Sequence, residues 1–397
     1  MKDSTLYLVR LGEISLKGLN RDFFEKRLKL NIKAKLRPHQ SIVSKQQGRL
    51  FFEISNSCPE EQALRAFRTT FGVVGFSKCI RCEKDIEIIK TNAAHLIQEE
   101  PFASGVGTFK SQTRRADKSF PLNSYEIDCA LGAVVLKTYP NMRVNAKYPD
   151  KTIFCEIRDK AYLYTSPQPG PGGLPVTTAG KAMMLLSGGI DSPVASYRMA
   201  QRGLKQECIY FHAAPYTSEQ ALEKVKTLAS IIAPYLQGTR LHVVPFTEVQ
   251  LWIKEHSHEE EHTLMFRAAM MKVANAISLV QDGTAIITGE ALSQVASQTL
   301  ESMDFTDSMS DQLVLRPLVG MEKQEIMDFA HKIGTYDTSI LPYEDCCIIF
   351  SPKHPLVRPD KTLITEHFYA MAVEDLLQKA IENVTTVDFD CNGNRRE

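Results

Sequence analysis

Several things are missing from this chain of 397 residues, and each absence excludes a class of protein. No apolar run approaches the roughly 20 residues that span a bilayer. The charged opening Met1-Lys2-Asp3 does not fit a secretory signal, so no membrane partner and a cytoplasmic location are expected. There is no excess of charge of one sign, with 47 basic against 47 acidic side chains. A disulfide framework is also missing, because the nine cysteines are odd in number and scattered, which fits reduced thiols. The Walker A loop is absent: Gly180-Lys181 runs into Ala182, and no glycine stands five residues before Gly180. Neither an internal repeat nor a low-complexity tract is present.

The balanced total hides an asymmetry. Residues 1–50 hold twelve Lys/Arg against four Asp/Glu, and residues 101–160 hold ten against six. The remainder is correspondingly acidic. Basic upstream segments beside an acidic remainder suggest that one half grips a polyanion. The plain alternative is a solvated helix face around Lys26, Arg27, Lys29, Lys33 and Lys35.

A chain of this length is too long for one core, so two or three domains are expected. Ser166–Gly173 is dense in Pro and Gly, which cannot propagate a helix or a central strand, and reads as a linker over residues 166–174. Upstream, residues 1–57 form a small α/β unit: strands near Thr5–Leu11 and Leu50–Ile54 flank a helix over Arg21–Leu36, with Phe23, Phe24, Leu28 and Ile32 at helical spacing. Residues 58–165 read as a second α/β module. Downstream, residues 175–397 alternate. Strands are expected at 182–186, 206–211, 240–246, 284–288 and 313–316, and helices at 193–203, 217–233, 262–280 and 322–333. That order implies a parallel sheet covered on both faces.

The chemistry begins at Leu185-Leu186-Ser187-Gly188-Gly189-Ile190-Asp191-Ser192. A strand runs into a glycine turn and then into a helix start. Two adjacent glycines at φ > 0 would point successive N–H groups at one anion, and the helix adds its positive end. Ser187 and Ser192 can donate to phosphate oxygens, while Asp191 would hold the loop or a Mg²⁺ ion. This predicts a pyrophosphate cradle and ATP cleaved between its α and β phosphates.

A second candidate stretch is Ile287–Thr299. In it, Gly289 would let a base approach the backbone, and Gln298 offers an amide to a base edge or phosphate. Arg267, on a helix rich in Met and Ala, is a candidate phosphate partner. Late in the chain, Pro342–Phe350 carries Cys346 and Cys347, read either as a sulfur nucleophile or as small buried side chains. Upstream, Phe109–Pro121 offers Lys110, Arg114, Arg115 and Lys118 to phosphates, with Phe109 and Phe120 able to stack or pack. Two metal patterns are discounted. His258-Glu259-Glu260-Glu261-His262 fits H-E-x-x-H, yet it sits among Glu and Ser, and a solvated acidic segment is expected. Cys79-Ile80-Arg81-Cys82 has no second pair downstream. No metal-ligating residue is therefore singled out.

In this order the motifs resemble the tRNA 4-thiouridine synthetase family of the ThiI type, over essentially the whole chain. Arg10–Gly18 looks like the opening of its ferredoxin-like domain, and Phe109–Pro121 with Ser124-Tyr125-Glu126-Ile127 looks like its THUMP RNA-binding module. Leu185–Ser192 is similar to its PP-loop, Gly289–Gln298 to its second nucleotide loop, and Glu344–Cys347 to its catalytic-cysteine loop. The fold implied is α/β: a ferredoxin-like domain and a THUMP module, then a PP-loop doubly wound parallel sheet of the adenine nucleotide alpha hydrolase kind. The activity implied is ATP-dependent thiolation of the uridine at position eight of tRNA. The C4 oxygen is adenylated with ATP and Mg²⁺ and then replaced by persulfide sulfur.

By the same resemblance Leu185, Leu186, Tyr210, Phe211, Arg267, Gly289 and Gln298 fall where the family contacts ATP. Cys346 falls at the catalytic cysteine, with Cys347 one residue away. The family is also linked to sulfur transfer for the thiazole of thiamine. The chain ends about fifty residues after Cys347, too short for the rhodanese domain of some members. A cysteine desulfurase is therefore the expected direct persulfide donor, and a homodimer is possible by analogy. Two other readings compete: an ATP pyrophosphatase working by amidation, which the basic upstream half opposes, and a non-catalytic tRNA-binding protein, which the intact Ser187–Ser192 loop opposes.

Overall fold

A computed structural model describes residues 3–46, 48–343 and 352–396. The chain forms two compact units, Met1–Gly173 and Leu174–Glu397.

The first unit is built on a nine-stranded sheet. Its strands are β1 (Ser4–Leu11), β2 (Ser41–Gln46), β3 (Arg49–Ser55), β4 (Val73–Cys82), β5 (Thr108–Arg115), β6 (Arg143–Val144), β7 (Lys151–Ile157), β8 (Ala161–Tyr164) and β9 (Gln168–Pro169). The order is β2-β3-β1-β4-β8-β7-β5-β6, with β9 on the side of β4. Helices α1 (Arg21–Leu36) and α2 (Glu60–Arg68) accompany the first strands, and α3 (Ile86–Leu96) and α4 (Ser124–Thr138) the later ones. Phe67 of α2 packs its ring on Tyr7, Phe52 and Phe76 of the sheet. Ile89 and Leu96 of α3 share a core with Ile127, Leu131 and Val135 of α4 and with Phe109 and Ile153.

Three expectations change here. Only the second half of the α1 stripe is fully buried: Leu28 and Ile32 are inside, whereas Phe23 is half exposed. Lys35 leaves the solvated basic face. It is 1% exposed, and its Nζ donates to Thr69 O and Oγ1, both at 2.8 Å, because a buried ammonium must find acceptors. The Pro/Gly segment is not a free tether. Gln168 and Pro169 pair with Phe76 and Gly75, and Gly170 N and Gly172 N donate to Val74 O and Val73 O. A Cβ on Gly170 would stand 2.3 Å from Val73 O, so only glycine fits that approach. Pro169 is tolerated because it occupies an edge.

In the second unit β10 (Lys181–Leu185), β11 (Lys205–His212), β12 (Thr239–Pro245), β13 (Ala285–Ile287) and β14 (Leu313–Leu315) run parallel in the order β14-β13-β10-β11-β12. The sequence anticipates each of these strands. It does not anticipate the antiparallel pair β15 (Thr385–Phe389) and β16 (Arg395–Arg396), which extends the sheet beyond β12. An antiparallel edge on a parallel sheet is common. The helices are α5 (Asp191–Ala200), α6 (Glu219–Leu236), α7 (Thr247–His256), α8 (His262–Val280), α9 (Leu300–Asp307), α10 (Lys323–Ile333), α11 (Tyr336–Ser339), α12 (Lys361–Ala370) and α13 (Glu374–Glu382). With its preceding turn, α8 is the one described helix long and apolar enough to cross a bilayer, and it lies in the core instead. Met265, Phe266 and Ala269 of α8 pack with Met183, Ile286 and Phe211 of the sheet.

The strand order reverses at β10. From there the chain first builds outward through β11 and β12, and later returns to the other side as β13 and β14. In such sheets the crevice beyond the carboxyl ends of the strands at the reversal is where ligands bind.

Candidate active site

A cavity of about 230 Å³ lies at that reversal, lined by Leu185, Ser187, Gly189, Asp191, Ser192, Arg267, Met270, Met271, Thr288, Gly289, Glu290, Gln298 and Thr306. A larger groove of about 770 Å³ sits in the first unit, far from these residues in sequence and lined by Ser4, Lys78, Arg81 and Glu99 among others. Chemistry rather than size favours the smaller cavity. It gathers a helix N-terminus, hydroxyls and a buried amide at the strand ends.

The Ser187–Ser192 turn is closed by its own serines. Ser187 N donates to Ser192 Oγ at 2.9 Å, the two hydroxyls are 3.1 Å apart, and Gly189 N donates to Ser187 Oγ at 3.3 Å. One expectation is corrected: neither Gly188 nor Gly189 is at positive φ. A Cβ on Gly189 would meet Ser187 Oγ at an ordinary 3.4 Å, so folding alone does not require glycine there. What the missing side chain leaves is room beside the turn. Pro193 falls in the first turn of α5, where its missing N–H costs nothing.

Asp191 does tie the site together. Its Oδ1 accepts from Lys323 Nζ at 2.6 Å and its Oδ2 from Gln294 Nε2 at 2.8 Å. Lys323 opens α10 and was not foreseen, since its partner lies 132 positions away and no local pattern marks it. A Mg²⁺ ion fits Asp191 in principle, because each carboxylate oxygen keeps a second acceptor position.

The fold itself requires glycine at Gly289. Its missing Cβ would lie 2.8 Å from Ser192 N and 2.9 Å from Ser192 Cα, so the start of α5 rests directly on this backbone. Beside it, Glu290 is 4% exposed and bridges two cations. Its Oε1 pairs with Arg267 Nη2, while Oε2 accepts from Arg316 Nε and Thr288 Oγ1, both at 2.7 Å. Burial pushes the Glu290 carboxyl up, but Arg267 and Arg316 overcome this and hold it below the usual carboxylate range. Arg267 also donates to Ser297 Oγ at 3.1 Å. Sequence reasoning picked Arg267 and passed over Glu290, although a lone acid three residues past a buried strand is a signal.

Gln298 is 8% exposed and lines the cavity, and its Oε1 is buried with no hydrogen-bond partner. Such an acceptor is costly unless something donates to it. The remaining predicted residues stand back. Leu186 is buried and its N donates to Ile209 O. Tyr210 is buried in β11, and Phe211 packs on Phe246 with ring centroids 4.8 Å apart. Cys346 and Cys347 lie outside the described residues. The chain leading to them is held at Leu341 and Tyr343, whose carbonyls accept from the largely buried Lys224 Nζ of α6 at 2.9 and 3.4 Å.

In the first unit, β5 carries Lys110 and Arg114 at alternate positions, which puts them on one face of the sheet. Arg115 points to the other side and donates to Lys118 O at 2.6 Å and Phe120 O at 2.9 Å, clasping the loop that carries the exposed Lys118. Phe109 and Phe120 pack in the core rather than offering a stacking surface. Cys79 and Cys82 are three apart on β4, hence on opposite faces, and cannot converge on one ion. Among the described residues no cysteine is in a disulfide.

Three family models match the chain. A ThiI ferredoxin-like domain covers residues 6–77, a THUMP domain covers 83–166, and a model described as thiamine biosynthesis protein (ThiI) covers 177–372. A probable tRNA sulfurtransferase of Caldanaerobacter subterraneus subsp. tengcongensis is 44% identical over 388 residues, covering 98% of this chain and all of the relative. The protein of the same description from Acetivibrio thermocellus is 42% identical over 387 residues, covering 96% and 99%. A solved structure of a 4-thiouridine synthetase–RNA complex with bound ATP superposes with a TM-score of 0.88 at 34% identity, covering 97% of this chain and 100% of that one.

Proposed function

This chain belongs to the ThiI family of tRNA sulfurtransferases, and from that premise we propose how its residues divide the work of making 4-thiouridine in tRNA with ATP. Gln298 carries the reading: it lines the same cavity as Ser187 and Ser192, and its buried Oε1 has no hydrogen-bond partner. An amide there can accept from the adenine amino group and donate to a ring nitrogen, which is how glutamine matches adenine. Leu185 supplies the apolar wall beside the base, backed by Leu186, Tyr210 and Phe211. The triphosphate then lies over Ser187, Gly188, Gly189 and Ser192, at the positive end of α5. Arg267 neutralises phosphate charge.

The uridine O4 attacks the α-phosphorus. A new O–P bond forms, the bond to the β-phosphate oxygen breaks, and pyrophosphate leaves. Lys323, ion-paired with Asp191, is assigned to the charge that develops on the departing pyrophosphate. Asp191 is the residue that would hold Mg²⁺, and the ion when bound would further neutralise the phosphates. A carbonyl oxygen is a poor leaving group, whereas AMP is a good one. The terminal sulfur of a persulfide on Cys346, or on Cys347 in its place, then attacks C4 and expels AMP, and a thiol cleaves the remaining S–S bond. A cysteine desulfurase loads the persulfide. The same sulfur carrier would serve the thiazole of thiamine.

The test is reconstitution with ATP, a cysteine desulfurase, cysteine and unmodified tRNA, read as absorbance in the thiouridine band. Asp191→Asn should lose AMP release and thiolation together by roughly 100-fold or more, with tRNA affinity within about twofold. Cys346→Ser should release AMP and form no 4-thiouridine. Equal loss of tRNA binding in Asp191→Asn would refute the division of labour.

Lys110, Arg114 and Lys118 are the proposed phosphate contacts of the upstream unit, and Arg115 holds their loop. Filter binding should show affinity falling steeply with salt. Lys110→Ala with Arg114→Ala should flatten the log–log slope by roughly 1–2. A slope identical to that of the unaltered chain would remove these residues from the interface.

A further inference from the structure

His258 to His262 take no part in the nucleotide cavity, and only His258, Glu259 and Glu260 form the solvated acidic segment the sequence suggests, whereas Glu261 and His262 are buried. Helix α8 starts only at His262, and Glu259–Glu261 make a single 3-10 turn before it. His258 and His262 therefore do not stand one helical turn apart, as an H-E-x-x-H zinc helix requires. A different trio converges. One ligand-capable atom each from His258, Glu261 and His367 lies within 4.8 Å of the others. His367 comes from α12, 106 positions downstream, and its Nδ1 is 2.9 Å from Glu261 Oε1.

The carboxylate is the unusual member. The Glu261 side chain is 6% exposed, and its Oε2 is buried with no hydrogen-bond partner. An acceptor oxygen left in that state is costly unless a proton donor or a cation meets it. Both flanking backbones are anchored. Leu264, Ile364 and Phe368 share one core, and Leu356 N donates to Glu260 O at 2.8 Å. His258 is exposed, so the group opens to solvent, and the exposed Glu259 and Glu260 beside it favour a cation.

We propose that His258, Glu261 and His367 form a site for a divalent transition metal of the zinc class. Two imidazoles with one carboxylate suit zinc, whereas magnesium and calcium prefer oxygen-only shells. Ligand atoms around zinc lie about 3.3 Å apart, so atoms within 4.8 Å of one another must draw together by up to about 1.5 Å. The exposed His258 ring is free to swing that far. The bound ion ties the turn before α8 to α12 and leaves a fourth position for water.

The experiment uses the untagged full chain, stripped with EDTA and titrated with zinc chloride against a chromophoric chelator. Cobalt(II) serves as a spectroscopic probe in parallel. About one equivalent should bind more tightly than micromolar, and His258→Ala or His367→Ala should each weaken it by roughly 10–100-fold. Because His258 is exposed, its variant keeps the fold, and a melting curve checks this. The cobalt complex should show tetrahedral d–d bands without thiolate charge transfer. No binding at micromolar zinc, affinity unchanged in both variants, or a thiolate band from the cysteines would each overturn the proposal. None of these readouts depends on thiolation, so the site stands or falls apart from the activity.

Discussion

Replacing Gly289 with alanine should reduce ATP-dependent AMP release about 100-fold in a chain that still folds. The argument is steric. The new methyl would lie within 3 Å of Ser192 N and Cα, and these are backbone atoms that no side-chain rotation can clear. The first turn of α5 must move away from β13. Ser192 moves with it, and Ser192 Oγ is the acceptor that closes the Ser187–Ser192 turn through Ser187 N. A displacement of about 1 Å at the reacting groups is enough for the loss. Single-turnover AMP release at saturating ATP, with circular dichroism as the folding control, measures it. Activity within about twofold of the original would mean that the turn tolerates movement of the helix and that the cavity does not place the triphosphate.

Glu290→Ala should lower stability by about 3 kcal/mol, since it strands two guanidinium groups around a buried hole. Arg316 keeps Asp307 at 2.6 Å, but Arg267 keeps only Ser297. For a unit of this size the melting temperature should fall by roughly 6–12 °C. Nucleotide affinity should fall too, because Arg267 loses the carboxylate that orients it over the cavity. The sign of the pH effect follows from the lowered pKa. The stabilisation is fully present above the unfolded carboxylate value, about 4.3, and is lost as pH falls toward the lower folded value. Thermal melts between neutral pH and pH 3 should show that loss in the original chain, and the loss should be smaller in Glu290→Gln. Unchanged melting in Glu290→Ala would show that the two arginines are satisfied without it.

What could be read ahead of the structure was local. The run from Lys181 to Arg202 reveals a strand, a glycine turn and a helix, because periodicity and turn chemistry act over a few residues. Arg21–Leu36 and residues 262–280 showed their helices for the same reason. Hidden from the sequence were partners brought together by topology. Lys323 meets Asp191, Glu290 joins Arg267 and Arg316, and Lys224 holds Leu341 and Tyr343, each across tens of positions or more. Arg115 looked like a phosphate ligand because charge was counted without direction. Its place on β5 turns it toward carbonyl oxygens instead. Gly289 was singled out for the approach of a base, and the close approach of the α5 backbone, from a distant part of the same chain, could not be read there.

Strand β4 serves two neighbours at once. Its first residues pair with β1 and its last three with β8. A fragment cut between β3 and β4 would therefore bare a row of unmated amide and carbonyl groups along an apolar ribbon, a ready template for self-association. Attempts to isolate the THUMP portion by trimming away the opening residues should yield sticky material, and the smallest well-behaved piece of this half is the whole sheet.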